Sequence, residues 1–335
     1  NGTLALIGAA SSPIYNYAVT ADLKSGRVHL LSGGSSESGT GYFLAQDPLA
    51  FDLPLLAGNF AFGVQGMEAG GTHMGLAGTV SIDAGGVVVA GRVDANGSNA
   101  LSAAPLTGTV STPDENGRGT LVLTSGSSRW HFSYYIVDAK KLLIVSAESS
   151  ASAPRLAGMM TRQPGTFDSG SLTGPGVLTL WNRVDAIAPP RALLTLGRLS
   201  AANAGSGTIV VTLDIADLAT TTLEKTYTGA AYAVAGDGRT TITYSEGTVT
   251  HSLALYLDGA SNGYVIEHGS GAGGAGLLEA QMAGPYSDTV PGLFVAGTQF
   301  PQDAAPLVLL PAVHIGAGSL SASNANGFFN VEAAT

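Results

Sequence analysis

One pattern returns three times along this chain and constrains everything else: Gly41-Tyr42-Phe43-Leu44-Ala45-Gln46, Gly158-Met159-Met160-Thr161-Arg162-Gln163 and Gly276-Leu277-Leu278-Glu279-Ala280-Gln281. The spacing of roughly 115–120 residues is that of a duplicated structural unit. A turn ahead of a Thr-rich strand keeps the same register, as Asn116-Gly117-Arg118-Gly119-Thr120-Leu121 and Asp237-Gly238-Arg239-Thr240-Thr241-Ile242, with Gly2-Thr3-Leu4 as a truncated copy. A strand ending in Asp repeats from Trp130 to Asp138, from Thr250 to Asp258, and from Tyr15 to Asp22. The opening of the unit recurs as Gly58-Asn59-Phe60-Ala61-Phe62, Gly176-Val177-Leu178-Thr179-Leu180 and Gly292-Leu293-Phe294-Val295-Ala296.

These markers divide the chain into the back half of a unit (1–48), two whole units (49–164 and 165–283) and the front of another (284–335), so the two ends are complementary fragments. Within the first whole unit the alternation predicts strands near 59–67, 73–83, 87–94, 104–112, 119–125, 129–138, 141–148 and 155–163. The segment from Trp130 to Val137 shows the two faces, with Trp130, Phe132, Tyr134 and Ile136 on one and His131, Ser133, Tyr135 and Val137 on the other. Asp83-Ala84-Gly85-Gly86, Asp94-Ala95-Asn96-Gly97, Asn116-Gly117 and Asp237-Gly238 read as hairpin turns, because Gly, Asn and Asp accept positive φ cheaply. Sequential hairpins form an up-and-down meander, and eight such strands close into a barrel without aggregation-prone edges. The expected fold is therefore all-β: tandem antiparallel up-and-down eight-stranded β-barrels, with split half-repeats at both termini. The terminal fragments supply about four and about three strands, one short of a further barrel.

Composition agrees. Hydrophobic residues make up 45% and charged residues 11%, with 47 glycines, so the chain can bury a core. Helix-favouring Lys, Glu, Gln and Arg are scarce beside Val, Thr, Ser, Ala and Gly, which suits short strands and tight turns. A formal net charge of -10 and the lack of any Lys/Arg cluster argue against a nucleic-acid partner. No run reaches the ~18 apolar residues of a membrane-spanning helix. The chain has no cysteine, hence no thiolate metal site and no thiol nucleophile.

The opening Gly58 to Phe62, the strand Ala77-Gly78-Thr79-Val80 and the turn Asn116 to Leu121 together resemble a Gly-rich β-barrel repeat family of exported and lipoprotein-type bacterial proteins. The likeness is one of pattern and spans nearly the whole chain, with the second unit diverging at Gly197-Arg198-Leu199. It implies export and a barrel repeat, and brings no catalytic residues with it.

The residues themselves offer little chemistry. His131 and His251 read as equivalent strand residues in the two whole units, structural rather than ligating, since no His-x-x-x-His or His-Glu-x-x-His occurs. The Asp/Asn/Gly turns lack the ladder of a calcium loop ending in Glu. Neither Gly33-Gly34-Ser35-Ser36 nor Gly205-Ser206-Gly207 forms a nucleophile elbow. Asp138 and Glu148, with Asp258 and Glu267 as counterparts, read as a repeated structural feature rather than a glycosidase pair. Gly269 to Gly274 has no Gly-Lys-Ser/Thr and cannot cradle a phosphate. Asn1-Gly2-Thr3 and Asn96-Gly97-Ser98 match glycosylation sequons that chance supplies often in such a sequence.

The expectation is a non-enzymatic extracellular or cell-surface protein with no cofactor and no metal site. Its partners would be copies of itself, joined head to tail into a fibre when the split barrel is completed between subunits, with attachment to a cell surface as a further role. The candidate assembly residues are Leu4, Leu6, Tyr15, Tyr17, Leu293, Phe294, Val295, Val313, Ile315, Phe328, Phe329 and Val331. The rival is a monomeric lipocalin-like module for small ligands or adhesion, which a core filled by Phe60, Phe62, Trp130 and Phe132 would disfavour.

Overall fold

A computed structural model describes residues 2–5, 14–20, 22–32, 40–184, 191–201, 205–216, 221–268, 273–281, 292–297, 314–321 and 324–333. Among these residues there is no α-helix, and short 3-10 turns interrupt an otherwise all-strand chain. Two compact units are present: Asp47–Ala283, and Asn1–Gln46 together with Gly284–Thr335.

The larger unit holds two closed antiparallel barrels in tandem. The first is built from Gly58–Met67, His73–Ile82, Val87–Ala95, Leu101–Pro105 continuing as Thr107–Val110, Arg118–Ser125, Ser128–Asp138, Lys141–Ser146 and Arg155–Arg162, closed by the pairing of Arg155–Arg162 with Gly58–Met67. All eight expected strands are present at nearly the expected bounds. The fourth is interrupted at Leu106, and within its first piece Ala103 takes a left-handed φ of 48° at a register shift against the third strand. The second barrel runs from Pro175–Val184 to Ala275–Ala280, and those two strands close it.

Both interiors are filled with side chains. Phe60, Phe62, Leu76, Leu121, Leu123, Trp130, Phe132, Tyr134 and Ile136 form the first core. Leu178, Leu180, Ile209, Val211, Tyr232, Ile242, Leu253 and Leu255 form the second. Burial pushes the Tyr134 phenol up to about 12, and its hydroxyl donates to the Ser111 carbonyl at 2.6 Å. One end of each barrel is stoppered by a 3-10 turn with an aspartate cap: Asp47 accepts from the Leu49 amide, and Asp168 accepts from the Gly170 amide. The stopper also explains the repeated Asn-Gly-Arg and Asp-Gly-Arg motif. Gly117 and Gly238 lie at φ of 70° and 86°. A Cβ on Gly117 would run into the Phe51 ring, and one on Gly238 would come within 3.0 Å of the Phe167 ring.

The smaller unit has a four-stranded sheet, Gly2–Ala5, Ile14–Val19, Ser25–Ser32 and Thr40–Leu44, and a three-stranded sheet, Gly292–Gly297, His314–Ser321 and Asn324–Ala333. The complementary ends of the chain thus share one unit, and no ladder joins the two sheets among the described residues.

Candidate functional site

The densest polar chemistry of the larger unit lies in the seam between its two barrels. The outer face of the first barrel's opening strands is made of small residues, Ala61, Gly63, Gly75 and Ala77. Against it rest Ala254, Tyr256, Tyr264, Ile266 and Ala275 of the second barrel, all at most 3% exposed, as are Ala61 and Ala77. The fit is close enough that a Cβ on Gly63 would overlap the Tyr264 ring, and one on Gly75 would overlap Ala275. Here the missing side chain is what lets a large aromatic approach the backbone.

Beside this apolar patch sits Asp94, fully buried in the third strand of the first barrel. Arg239 grips it in bidentate fashion, Nε to Oδ2 at 2.7 Å and Nη2 to Oδ1 at 2.9 Å. His268 Nε2 lies 2.8 Å from Oδ1, and the Tyr256 hydroxyl donates to Oδ2. An ionised carboxylate can only accept, so Nε2 of His268 carries the proton. A fourth donor is local: the amide of Ala103 reaches Oδ1 at 3.1 Å. Burial alone would raise the Asp94 pKa, but the hydrogen bonds from Arg239, His268 and Tyr256 outweigh it and hold the carboxyl well below the usual range. The same bond to Asp94 holds the Arg239 guanidinium above its ordinary value against the effect of burial. Burial, then the Asp94 charge, pushes the Tyr256 phenol up.

Around the clamp, backbone groups are satisfied across the seam. Asn96 accepts from the Gly75 amide at 2.6 Å and donates to the Gly274 carbonyl at 2.7 Å. Gln163, the last residue of the recurring Gly-to-Gln pattern, donates to the carbonyls of Asp237 and Leu257 at 3.0 and 2.7 Å. The Thr161 and Tyr264 hydroxyls meet at 2.7 Å, and His73 Nδ1 lies 2.8 Å from the Gly273 carbonyl oxygen. Asn96, only 5% exposed and engaged at both ends of its amide, does not serve as a glycan acceptor here.

The histidine comparison is corrected by the strand registers. Leu123 lies opposite Trp130 in one barrel and Tyr244 opposite His251 in the other, so the counterpart of His251 is Trp130, not His131. By the same registers Ser146, not Glu148, stands where Glu267 stands, and Val137, not Asp138, where Asp258 stands. His251 stacks on Tyr244 with ring centroids 4.8 Å apart, and its Nδ1 is 3.8 Å from Glu267 Oε1. The Glu267 carboxylate raises the His251 pKa, and burial opposes it. His131 has its own carboxylate, Glu148, at 3.9 Å, formed independently at a different register.

The expected assembly residues fall in the smaller unit. Leu4 is opposite Tyr15 in its sheet. Tyr15 and Tyr17 are half-buried, and Tyr17 meets Phe43 edge-on with centroids 6.3 Å apart. Leu293, Phe294 and Val295 lie in one strand, Ile315 in the next, and Phe328, Phe329 and Val331 in the third. Leu6 and Val313 lie outside the described residues. The described ones fall in one unit of one chain, and none of them belongs to the Asp94 seam.

No protein-family model matches the chain, and no curated protein matches it. Among solved structures it is similar to a protein of unknown function from the DUF3598 family of Nostoc punctiforme, at 10% identity and a TM-score of 0.23, covering 69% of this chain and 98% of that one. A likeness at that level supports no functional argument.

Proposed function

We propose that the chain is a non-enzymatic structural protein of the cell exterior or cell surface that joins copies of itself head to tail into a fibre. The observation that carries this reading is the seam: two solid barrels are held together by a close-packed apolar patch and a fully buried charge clamp, which is how a rigid building block is made. The filled interiors support it as well. Within the first barrel, Leu56, Phe60, Ile82, Val110, Leu121, Tyr134, Leu142 and Met160 line a void of about 10 Å³. That is room for about one water molecule, far from the several hundred Å³ of a small-ligand pocket, so a lipocalin-like role is disfavoured.

The terminal strands offer one route to a fibre. Among the described residues four strands and three strands fall one short of eight, and completing the barrel between subunits would exchange elements that a single chain also gathers into one unit, as in domain swapping. Negative-stain electron microscopy and sedimentation velocity over a concentration series test the reading. Filaments or a growing ladder of oligomers are expected. Discrete single-chain particles at every concentration would overturn it.

A further inference from the structure

We infer that the two outer faces of the barrel tandem form a second copy of the inter-barrel seam, between successive molecules: the back of the first barrel of one chain receives the front of the second barrel of another. The inference rests on the self-association reading above and gives it a specific surface.

The strand registers carry the argument. In the second barrel Arg239 lies opposite Tyr256, and Tyr256 opposite Tyr264. In the first barrel Arg118 lies opposite Tyr135, and Tyr135 opposite Leu143. Arg118 and Tyr135 therefore repeat the gripping pair, yet Arg118 is exposed and Tyr135 is 41% exposed, where Tyr256 is fully buried. Val145, at the register position of Ile266, is 44% exposed.

The other half of the clamp recurs on the second barrel. Asp94 is opposite Ala77, and Asp214 is opposite Leu196. Each aspartate accepts from the amide of a left-handed residue one strand on: Ala103 for Asp94, and Glu224, at φ 54° and 2.7 Å, for Asp214. Asp214 is exposed, and the neighbouring Val177 and Leu196 are 36% and 54% exposed. The tandem thus ends in an exposed arginine–tyrosine pair on one side and an exposed aspartate on the other, at the register positions of the groups already mated at its centre, with Ala147 in the place of His268.

At one position of the contact, side-chain size is exchanged between the two faces in a compensating way. Where the seam sets Tyr264 on Gly63, the outer faces carry Leu143 and Thr179 at the same register positions. The large residue has shrunk and the small one has grown, which conserves volume across a contact. The terminal strands do not repeat the clamp. Asn330, opposite Ala317, occupies the register position of Asp94, and Ala18, next to the Tyr17 that faces Gly2, occupies that of Tyr135. The complementary charges therefore lie on the tandem itself, and the occupant that matches each face is a second copy. Such a contact joins unlike surfaces and propagates head to tail.

The test uses the full chain with Arg118→Glu and Asp214→Lys, each alone and then mixed. Both residues are exposed, and an unchanged circular dichroism spectrum with a cooperative melt will show that the variants fold, Asp214→Lys melting slightly lower because it uncaps the Glu224 amide. Each variant alone puts like charges face to face and is expected to raise the concentration for half-association about tenfold or more. Mixing the two, or combining both changes in one chain, pairs the charges again and is expected to restore association. Wild-type self-association that neither variant alters would overturn the surface while leaving the assembly reading standing; absence of self-association in the wild type would overturn both.

Discussion

Replacing Asp94 by Ala separates the clamp from ordinary strand chemistry, because the molecule contains its own control. Asp94 and Asp214 occupy the same register position and each caps the amide of a left-handed residue, but only Asp94 also receives Arg239, His268 and Tyr256. Asp214→Ala removes one hydrogen bond to an exposed carboxylate, a loss of about 0.5–1.5 kcal/mol. Asp94→Ala leaves Arg239, whose side chain is 13% exposed, without its counter-ion and strands a buried tyrosine hydroxyl. Breaking a buried ion pair in this way costs about 3–5 kcal/mol. In dilute solution, urea unfolding followed by tryptophan fluorescence and circular dichroism should show a large fall in midpoint for Asp94→Ala, with the two probes separating as the barrels uncouple, and a small fall with coincident probes for Asp214→Ala. The sign of the pH dependence follows from the lowered pKa of Asp94. Its stabilisation is present above the unfolded carboxylate value of about 3.9 and is lost as pH falls through the depressed folded value. The gap between the two variants should therefore narrow below about pH 4. Equal costs for the two substitutions at neutral pH would refute the assignment of the clamp as the main polar tie of the seam.

Three further outcomes are expected. Gly63→Val forces a side chain into the Tyr264 ring on the outside of the first barrel; a loss of about 1–3 kcal/mol, read by urea unfolding, should accompany an unchanged far-ultraviolet circular dichroism spectrum. Phe62→Ala empties part of a filled core and should cost about 3–5 kcal/mol, with the vacated space detectable by xenon or benzene binding that the wild type lacks. His251, its pKa raised by Glu267, stabilises the fold below about pH 6.5 and ceases to do so as pH rises through its higher folded value; melting temperatures from pH 5 to 9 should fall in the wild type relative to His251→Gln, and parallel curves would exclude the pair as a contributor.

The strands, their closure and the hydrophobic interiors were legible because they depend on local alternation and turn chemistry. Trp130, Phe132, Tyr134 and Ile136 announce an inward face by period two alone, and the Gly-to-Gln pattern marks the repeat. The seam was not legible by those rules. Asp94 and Asn96 have the composition of a hairpin turn, and their decisive partners, Arg239 and Gly274, belong to the other repeat. A signal did exist in the comparison between repeats: Ala61, Gly63 and Ala77 face outward in one barrel where Val177, Thr179 and Leu196 face outward in the other, a difference that core packing does not require. The histidine pairing failed for a different reason. A slip of one residue in aligning two strands exchanges their faces, so His131 and His251, which look equivalent in the sequence, lie at different register positions.

The aspartate near the end of the third strand of each barrel is tied to its own fold before any neighbour is present, since it clasps the amide of Ala103 in one case and of Glu224 in the other. Duplicating such a barrel copies an anion already fixed in position on the outside of the new module. Because Arg118 and Tyr135 repeat the arginine–tyrosine pair as well, each copy of the barrel carries both halves of the joint, and a firm seam needs only facing residues small enough to let the two surfaces close.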